Sequence, residues 1–323
     1  MTRPTDRDLP DEGGVVAARP GAGATATPSF GLPEGASSGL PGPLGETTIG
    51  PRTFAWGTRT FVMGILNVTP DSFSGDGLIG TDEAGDDSRV VEAAVARARA
   101  MAEDGADLLD VGGESTRPGH ARVAAAEEID RVVPVIAAIR AALPAMPLSI
   151  DTTKPAVAAA ALDAGAHLVN DVWGVAEDDA LSRLAAEREV PIVLMHNRAE
   201  PRYTALLPEV LGDIAAAIAR AESAGVARER ILVDPGFGFG KTAEHNLALL
   251  RDLASLRLLG RPILLGTSRK STLGKVLDLP ADQRVEATLA TTVLGIAAGV
   301  DIVRVHDVRP NVRAARMSDA VLR

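Results

Sequence analysis

From Phe61 onward, short runs of β-branched residues and leucine alternate with longer Ala-rich stretches of helical period. Short apolar runs bounded by polar or turn residues predict buried strands, and the stretches between them predict helices. Eight strands are expected, over Phe61–Val68, Leu108–Val111, Leu148–Asp151, Leu168–Asp171, Pro191–Met195, Ile231–Asp234, Ile263–Gly266 and Ile302–Val305. Helices fit between them, for example over Glu127–Leu143, Pro155–Ala164, Glu209–Ser223 and Val285–Ala298. Repeated βα units build a parallel sheet, and eight of them close a barrel. The expected fold is therefore α/β, a single (β/α)8 TIM barrel over residues 47–323, with a doubly wound open sheet as the alternative. Thr47–Thr60, ahead of the first strand, is expected to form a short hairpin closing the barrel bottom.

Residues 1–46 are rich in Pro, Gly, Ala, Ser and Thr and have no hydrophobic period. Such a segment buries too little apolar surface to offset its ordering entropy, so a disordered tail is expected. Asp6, Asp8, Asp11 and Glu12 count against an organellar presequence.

Composition narrows the chemistry. The chain has 323 residues, 46% of them hydrophobic, enough for a large core. No apolar run reaches the roughly 18 residues of a membrane span, so no membrane partner is expected. The absence of cysteine excludes disulfides, thiolate metal sites and a Cys nucleophile, and is compatible with a cytoplasmic location. A net charge of −10 argues against nucleic-acid binding, which needs a dense basic face.

On a TIM barrel the active site gathers at the carboxyl ends of the strands. Polar residues stand at each of them: Asn67, Thr69 and Asp71; Asp110, Glu114, Thr116 and Arg117; Asp151 and Thr152; Asn170 and Asp171. After the fifth strand come Met195 and His196, then Asp234 after the sixth, Ser268, Arg269 and Lys270 after the seventh, and Arg304, His306 and Asp307 after the eighth. Asp171, Asp307 and Thr152 are equally suited to capping the following helices. Asp151 and Asp234 sit at the strand ends themselves, where a carboxylate needs a partner or a ligand. Arg117, Lys154, Lys241, Arg269, Lys270, Arg304 and Arg309 all follow strands, so an acidic protein carries a basic mouth suited to phosphate or diphosphate. Surface ion pairing is the alternative, and it is the expected state of Arg309.

The stretch Gly236-Phe237-Gly238-Phe239-Gly240-Lys241-Thr242 is not an ATP-binding loop, because Pro235 stands where the first glycine is required. Its glycines suit close backbone approach to a flat ligand, with Phe237 or Phe239 as an aromatic face and the other as core. No zinc spacing occurs among the five histidines. Magnesium needs one or two oxygen ligands plus substrate phosphate, and Asn67 with a diphosphate suffices. His196 and His306 remain open between ligand, phosphate donor and core, with His306 favoured for function.

Seven segments in order form a recognisable set: MGILNVTPDSFSGDG from Met63, GADLLDVGGESTRPG from Gly105, SIDTTKP from Ser149, AGAHLVNDVWG from Ala164, DPGFGFGKT from Asp234, LLGTSRKSTLG from Leu264 and RVHDV from Arg304. They resemble dihydropteroate synthases, from the first strand to the end of the chain. The resemblance implies condensation of 6-hydroxymethyl-7,8-dihydropterin diphosphate with p-aminobenzoate in folate biosynthesis, an Mg²⁺ cofactor, sulfonamides as inhibitors, and a homodimer. It implies that Asp151, Asn170, Asp234 and Lys270 hydrogen-bond the pterin, and that Met195 and Phe239 line its cavity. Asn67, Arg304 and His306 would hold diphosphate and magnesium, with Asn67 on the metal. Thr116, Arg117, Pro118, Phe73, Ser268, Arg269 and Ser271 would surround p-aminobenzoate. Asp151, Lys270 and Arg304 would be catalytic, and Thr69–Gly77 and Glu114–His120 would be lids.

Two stretches depart from the family pattern, SFSGDGLIG in the first loop and MHNRAEPRY after the fifth strand. The rival readings are a pterin-binding methyltransferase serving a corrinoid protein, which needs no diphosphate or p-aminobenzoate subsite, and a noncatalytic pterin-binding paralogue. Ala287–Val300 is apolar nearly all round, as a helix buried on two sides would be, which fits the dimer.

Overall fold

A computed structural model describes residues 44–69, 87–114 and 123–323. The expected tail lies outside them, apart from its last three residues, and so do most of the two expected lids. A hairpin of β1 (Glu46–Ile49) and β2 (Arg52–Ala55) comes first, followed by eight barrel strands. These are β3 (Phe61–Asn67), β4 (Leu108–Gly112), β5 (Leu148–Asp151), β6 (Leu168–Asp171), β7 (Ile192–Met195), β8 (Ile231–Asp234), β9 (Leu264–Leu265) and β10 (Ile302–Val305). They pair in parallel in the order β8-β7-β6-β5-β4-β3-β10-β9. A parallel bridge between Val233 and Ile263 joins the two ends, which closes the barrel and sets aside the open sheet.

The period of two along each strand divides the core. Outward residues such as Leu66, Val111, Ile150, Val169, Leu194, Val233 and Val303 pack against the helices. Inward residues Phe61, Met63, Leu108, Leu168, Val193, Leu232, Leu264 and Ile302 fill the lower barrel, and the hairpin plugs it with Ile49, Phe54 and Trp56. Phe54 meets Phe61 edge-on at 4.8 Å between ring centroids, and Trp56 meets Phe61 at 5.5 Å. Each such pair adds about 0.5–1.5 kcal/mol beyond its buried area. The buried Trp56 indole donates to Thr47 Oγ1 at 2.9 Å, which satisfies its one polar atom.

The helices end on a recurring device. Gly105, Gly165, Gly225 and Gly299 follow the helices that precede β4, β6, β8 and β10, all with positive φ, where other residues are strained. Each turns the chain back into the next strand, so every strand enters at the bottom and leaves at the same upper rim.

Within the single chain, Val285–Ala297 is buried on one side only. Thr288, Thr291, Thr292, Gly295 and Ile296 are buried, while Val293 and Leu294 are exposed in this single chain.

Candidate active site

One further step of two residues along the inward positions turns the barrel interior from apolar to polar. Leu108 is followed by Asp110, Leu168 by Asn170, Leu232 by Asp234 and Ile302 by Arg304, while Val193 is followed by Met195 and Ser149 by Asp151. Asp110, Asp151, Asn170, Met195 and Asp234 are all buried.

Arg304 organises the centre. Its Nε donates to Asp110 Oδ2 and its Nη2 to Asp151 Oδ2, both at 2.6 Å. Asn170 Nδ2 donates to the same Asp110 oxygen at 2.9 Å. Asp110 Oδ1, Asp151 Oδ1 and Ser149 Oγ are buried with no hydrogen-bond partner in the protein. A buried carboxylate oxygen without a donor is costly, so Asp110 and Asp151 each retain an acceptor that a ligand N–H can satisfy.

Burial pushes the Asp151 carboxyl up to about 7; Arg304 pulls it down, and the Asp110 and Glu128 carboxylates push it further up. Asp234 is also raised by burial, against the pull of Lys270 and of the Gly236 N–H that donates to Asp234 Oδ1 at 2.6 Å. Burial draws Lys270 down to about 8, opposed by Asp234. Burial likewise works against the Arg304 charge, yet Asp110 and Asp151 hold its pKa above the ordinary value. The site thus mixes donors and acceptors, and two of them, Asp151 and Lys270, are moved by burial toward neutrality, as groups in acid–base and ligand sites are.

Lys270 Nζ donates to the Phe237 carbonyl and stands 4.4 Å from the centre of the Phe239 ring. Phe237 is fully buried and Phe239 only partly so, which makes the first a core residue and leaves the second facing the site. Ser268 is buried, and its Oγ accepts from His306 N at 3.1 Å and contacts His306 Nδ1 at 3.0 Å. Ser271 is the exposed first residue of the helix Ser271–Leu277.

Several expected roles are revised. Asp307 makes no cap hydrogen bond; its carboxylate instead takes Arg269 Nε at 2.9 Å and Nη2 at 2.5 Å. Arg269 itself has φ +56, a strained value for a residue with a side chain, and is pinned by Thr288 Oγ1 at its N–H and by Arg284 at its carbonyl. Thr152 and Asp171 accept N–H groups two residues ahead, from Lys154 and Trp173, and so shape their turns. Lys154 follows β5 as expected, but Glu114 and the fully buried Glu128 take its ammonium, so its charge is already paired within the protein. Lys241 is turned inward onto His196, which is itself completely buried. Arg309 pairs with Asp104 on the surface, as expected.

Asp110 was not among the expected ligand-binding residues, although the two-residue step from Leu108 already places it inside. Thr116, Arg117, Pro118 and Phe73 lie outside the described residues.

Magnesium can be judged from the donors present. Among the described residues, no group of three His, Asp or Glu side chains stands ready for a metal. Asn67 ends β3 at the rim, half-buried, and Gly112 beside it leaves room: a Cβ there would lie 3.7 Å from Asn67 Oδ1 and 3.6 Å from Asp151 Cβ. One amide oxygen on an open lip suits a hard cation that completes its shell with phosphate and water.

No helix among the described residues is long and apolar enough to cross a membrane.

The comparisons with known proteins give the family. The model of the family described as "Pterin binding enzyme" matches residues 63–306. A dihydropteroate synthase of Clostridium beijerinckii is 49% identical over 276 residues, covering 85% of this chain and 99% of that protein. Two solved structures of the Xanthomonas albilineans dihydropteroate synthase match as closely in fold. The one with 4-aminobenzoic acid has a TM-score of 0.78 at 43% identity, covering 85% of this chain and 97% of its own. The other, in complex with 7,8-dihydropteroate, has a TM-score of 0.76 at 42% identity, covering 85% and 98%. The chain belongs to the pterin-binding enzymes and, within them, to the dihydropteroate synthase family.

Proposed function

We propose that this chain condenses 6-hydroxymethyl-7,8-dihydropterin diphosphate with p-aminobenzoate, releasing 7,8-dihydropteroate and diphosphate. The observation that carries the reading is the cluster of buried Asp110, Asp151, Asn170 and Asp234 with half-buried Lys270 and Arg304, in which two carboxylate oxygens lack donors. A pterin presents amino and ring N–H donors along one edge and a carbonyl and ring nitrogen beside them. Carboxylates and the Asn170 carbonyl suit the first group, and the Lys270 ammonium suits the second. Phe239 and Met195 give the flat ring apolar walls.

In the reaction the bond from the pterin methylene to the diphosphate oxygen breaks with its electron pair on oxygen. The arylamine lone pair then forms the new C–N bond, and the nitrogen loses one proton. Positive charge develops on the pterin methylene, and the ionised Asp151 carboxylate stabilises it. Arg304 and His306 meet the departing diphosphate at the rim, and Arg304 also holds Asp151 in place. Asn67 would hold magnesium, which when bound supplies positive charge to the leaving group. Ser268, Arg269 and Ser271, with Thr116, Arg117, Pro118 and Phe73, surround p-aminobenzoate in this reading. The barrel wall below excludes water from a carbon that water would otherwise capture.

The apolar residues Val293, Leu294, Met317, Val321 and Leu322, exposed on the last two helices, support a homodimer. Sedimentation at micromolar concentration is expected to give twice the chain mass, and a monomer removes this part. A cytoplasmic location is part of this reading, and a chain without cysteine is compatible with it. The reaction is tested by chromatography of the products formed from both substrates with Mg²⁺. Dihydropteroate is expected from the wild type and at least about 100-fold less from Asp151→Asn, the scale of one lost electrostatic contact to the transition state. Tight pterin binding without product would overturn the reading in favour of a noncatalytic binder.

A further inference from the structure

We infer that Lys241 and His196 are positioning residues for the pterin pocket, holding the glycine-rich turn after β8 in the shape that presents the Phe237 carbonyl and the Phe239 ring to Lys270. The inference rests on the reading of Lys270 as a pterin contact.

The turn is confined on two sides. Gly236, Gly238 and Gly240 all have positive φ. A Cβ on Gly236 would fall 1.7 Å from the His196 carbonyl oxygen, and one on Gly240 would fall 2.3 Å from that of Arg198. On the other side a Cβ on Gly238 would fall 2.8 Å from Lys270 Cδ. The turn therefore lies between the exit of β7 and the Lys270 stem, with backbone touching both.

So tight a turn leaves carbonyls facing inward, and Lys241 meets them. Its Nζ donates to Gly236 O and Phe239 O, each at 3.1 Å, and sits 2.8 Å from His196 Nδ1. All three ammonium donors are used. His196 Nε2 lies 3.1 Å from Asp213 Oδ2, and because a carboxylate only accepts, that nitrogen carries the proton. Nδ1 is then a bare acceptor directed at Lys241. Arg198 fixes Asp213 through Nη2 at 2.7 Å and lies over the Tyr203 ring at 4.6 Å. Tyr203 Oη donates to Gly240 O at 2.8 Å, which returns the chain of contacts to the turn where it began.

In the same stretch Phe237 O accepts from Lys270. Two lysines thus divide the turn: Lys241 takes Gly236 and Phe239, and Lys270 takes Phe237. Without Lys241, the backbone that orients Lys270 loses its inner partner.

The two histidine nitrogens allow a discriminating test. In His196→Asn the amide oxygen occupies the place of Nδ1 and retains the acceptor for Lys241, whereas in His196→Gln the side-chain end reaches the place of Nε2 and keeps only the Asp213 contact. Steady-state kinetics with each substrate varied, calorimetry with pteroic acid, and thermal melting are measured for both variants, Lys241→Met and the milder Lys241→Gln. Lys241→Met and His196→Gln are expected to raise KM for the pterin diphosphate, and Kd for pteroic acid, by about tenfold or more, the scale of one charged hydrogen bond. His196→Asn is expected to stay within threefold of the wild type, and KM for p-aminobenzoate is expected to stay near the wild-type value in all of them. Equal effects of the two His196 variants, or a pterin KM that is unmoved in both Lys241 variants, would overturn the inference. So would a lowered melting point with unchanged pterin affinity, the mark of a purely structural role. If the wild type makes no dihydropteroate, the reaction reading fails separately, and the pteroic-acid affinities still decide this one.

Discussion

Replacing Asp151 with asparagine is expected to favour the stability of the ligand-free barrel more at alkaline than at mildly acidic pH. Burial raises this carboxyl from 3.8 to about 7. Between those values the unfolded chain has released the proton while the folded barrel keeps it, so rising pH lowers stability across that window and the loss persists above it. At about 1.4 kcal/mol per pH unit the window sets a ceiling of about 4 kcal/mol. Asparagine removes the buried charge but also weakens the contact that Asp151 makes with Arg304 at 2.6 Å. Arg304 retains Asp110, also at 2.6 Å, so its own charge stays paired. A net gain of about 1–2 kcal/mol at pH 8 remains, which for a chain of this size raises Tm by about 2–3 °C. Calorimetric melts of wild type and variant without ligand at pH 5.5 and pH 8 measure it. At pH 5.5 the folded carboxyl holds its proton while the unfolded one has lost it, so the wild type has given up only about half of the window, and the variant's advantage is expected to be smaller there than at pH 8 by about 2 kcal/mol. The same difference at both pH values, or a variant less stable at pH 8, would refute the reasoning. Because the same substitution should cut turnover by about 100-fold or more, the site trades stability for function at this residue.

Other expectations concern separate parts of the molecule. With Asp151 needed ionised and Lys270 needed protonated, kcat/KM for the pterin diphosphate should rise through about pH 7 and fall beyond about pH 8, and the rising limb should vanish in Asp151→Asn. Asn67→Ala should raise the Mg²⁺ concentration for half-maximal turnover by about tenfold or more while leaving pteroic-acid affinity intact; a parallel loss of both would place Asn67 on the pterin instead. Trp56→Ala empties the aromatic plug and should cost about 3–5 kcal/mol in urea unfolding with kcat unchanged, since the plug lies at the far end of the barrel from the site.

Much of this architecture was legible from local pattern, because each barrel strand is a short apolar run between polar edges. Strand β9 is the exception in length: Ile263–Gly266 was expected and Leu264–Leu265 is paired, since the Asp301 carboxylate takes the Ile263 N–H that a longer ladder would use. The inward polar residues were legible too, because the alternation that buries Leu108 and Leu232 carries Asp110 and Asp234 to the same interior. Partner choice was not. Arg304 and Asp110 are 194 residues apart, and no local pattern joins them. The basic mouth illustrates the gap: sequence placed Lys154, Lys241 and Arg269 at the rim correctly, but Glu128, His196 and Asp307, which neutralise or absorb them, come from other elements. Charge near a strand end tells where a side chain starts, and only packing tells what it meets.

The central claim, that the polar upper barrel performs a displacement on a pterin diphosphate, is tested most directly by diphosphate release from 6-hydroxymethyl-7,8-dihydropterin diphosphate with Mg²⁺, with and without p-aminobenzoate. Diphosphate and dihydropteroate are expected in equal amounts when both substrates are present, with release lost in Lys270→Ala. Wild-type release that forms no dihydropteroate, or no release from a protein that binds the pterin, would contradict it.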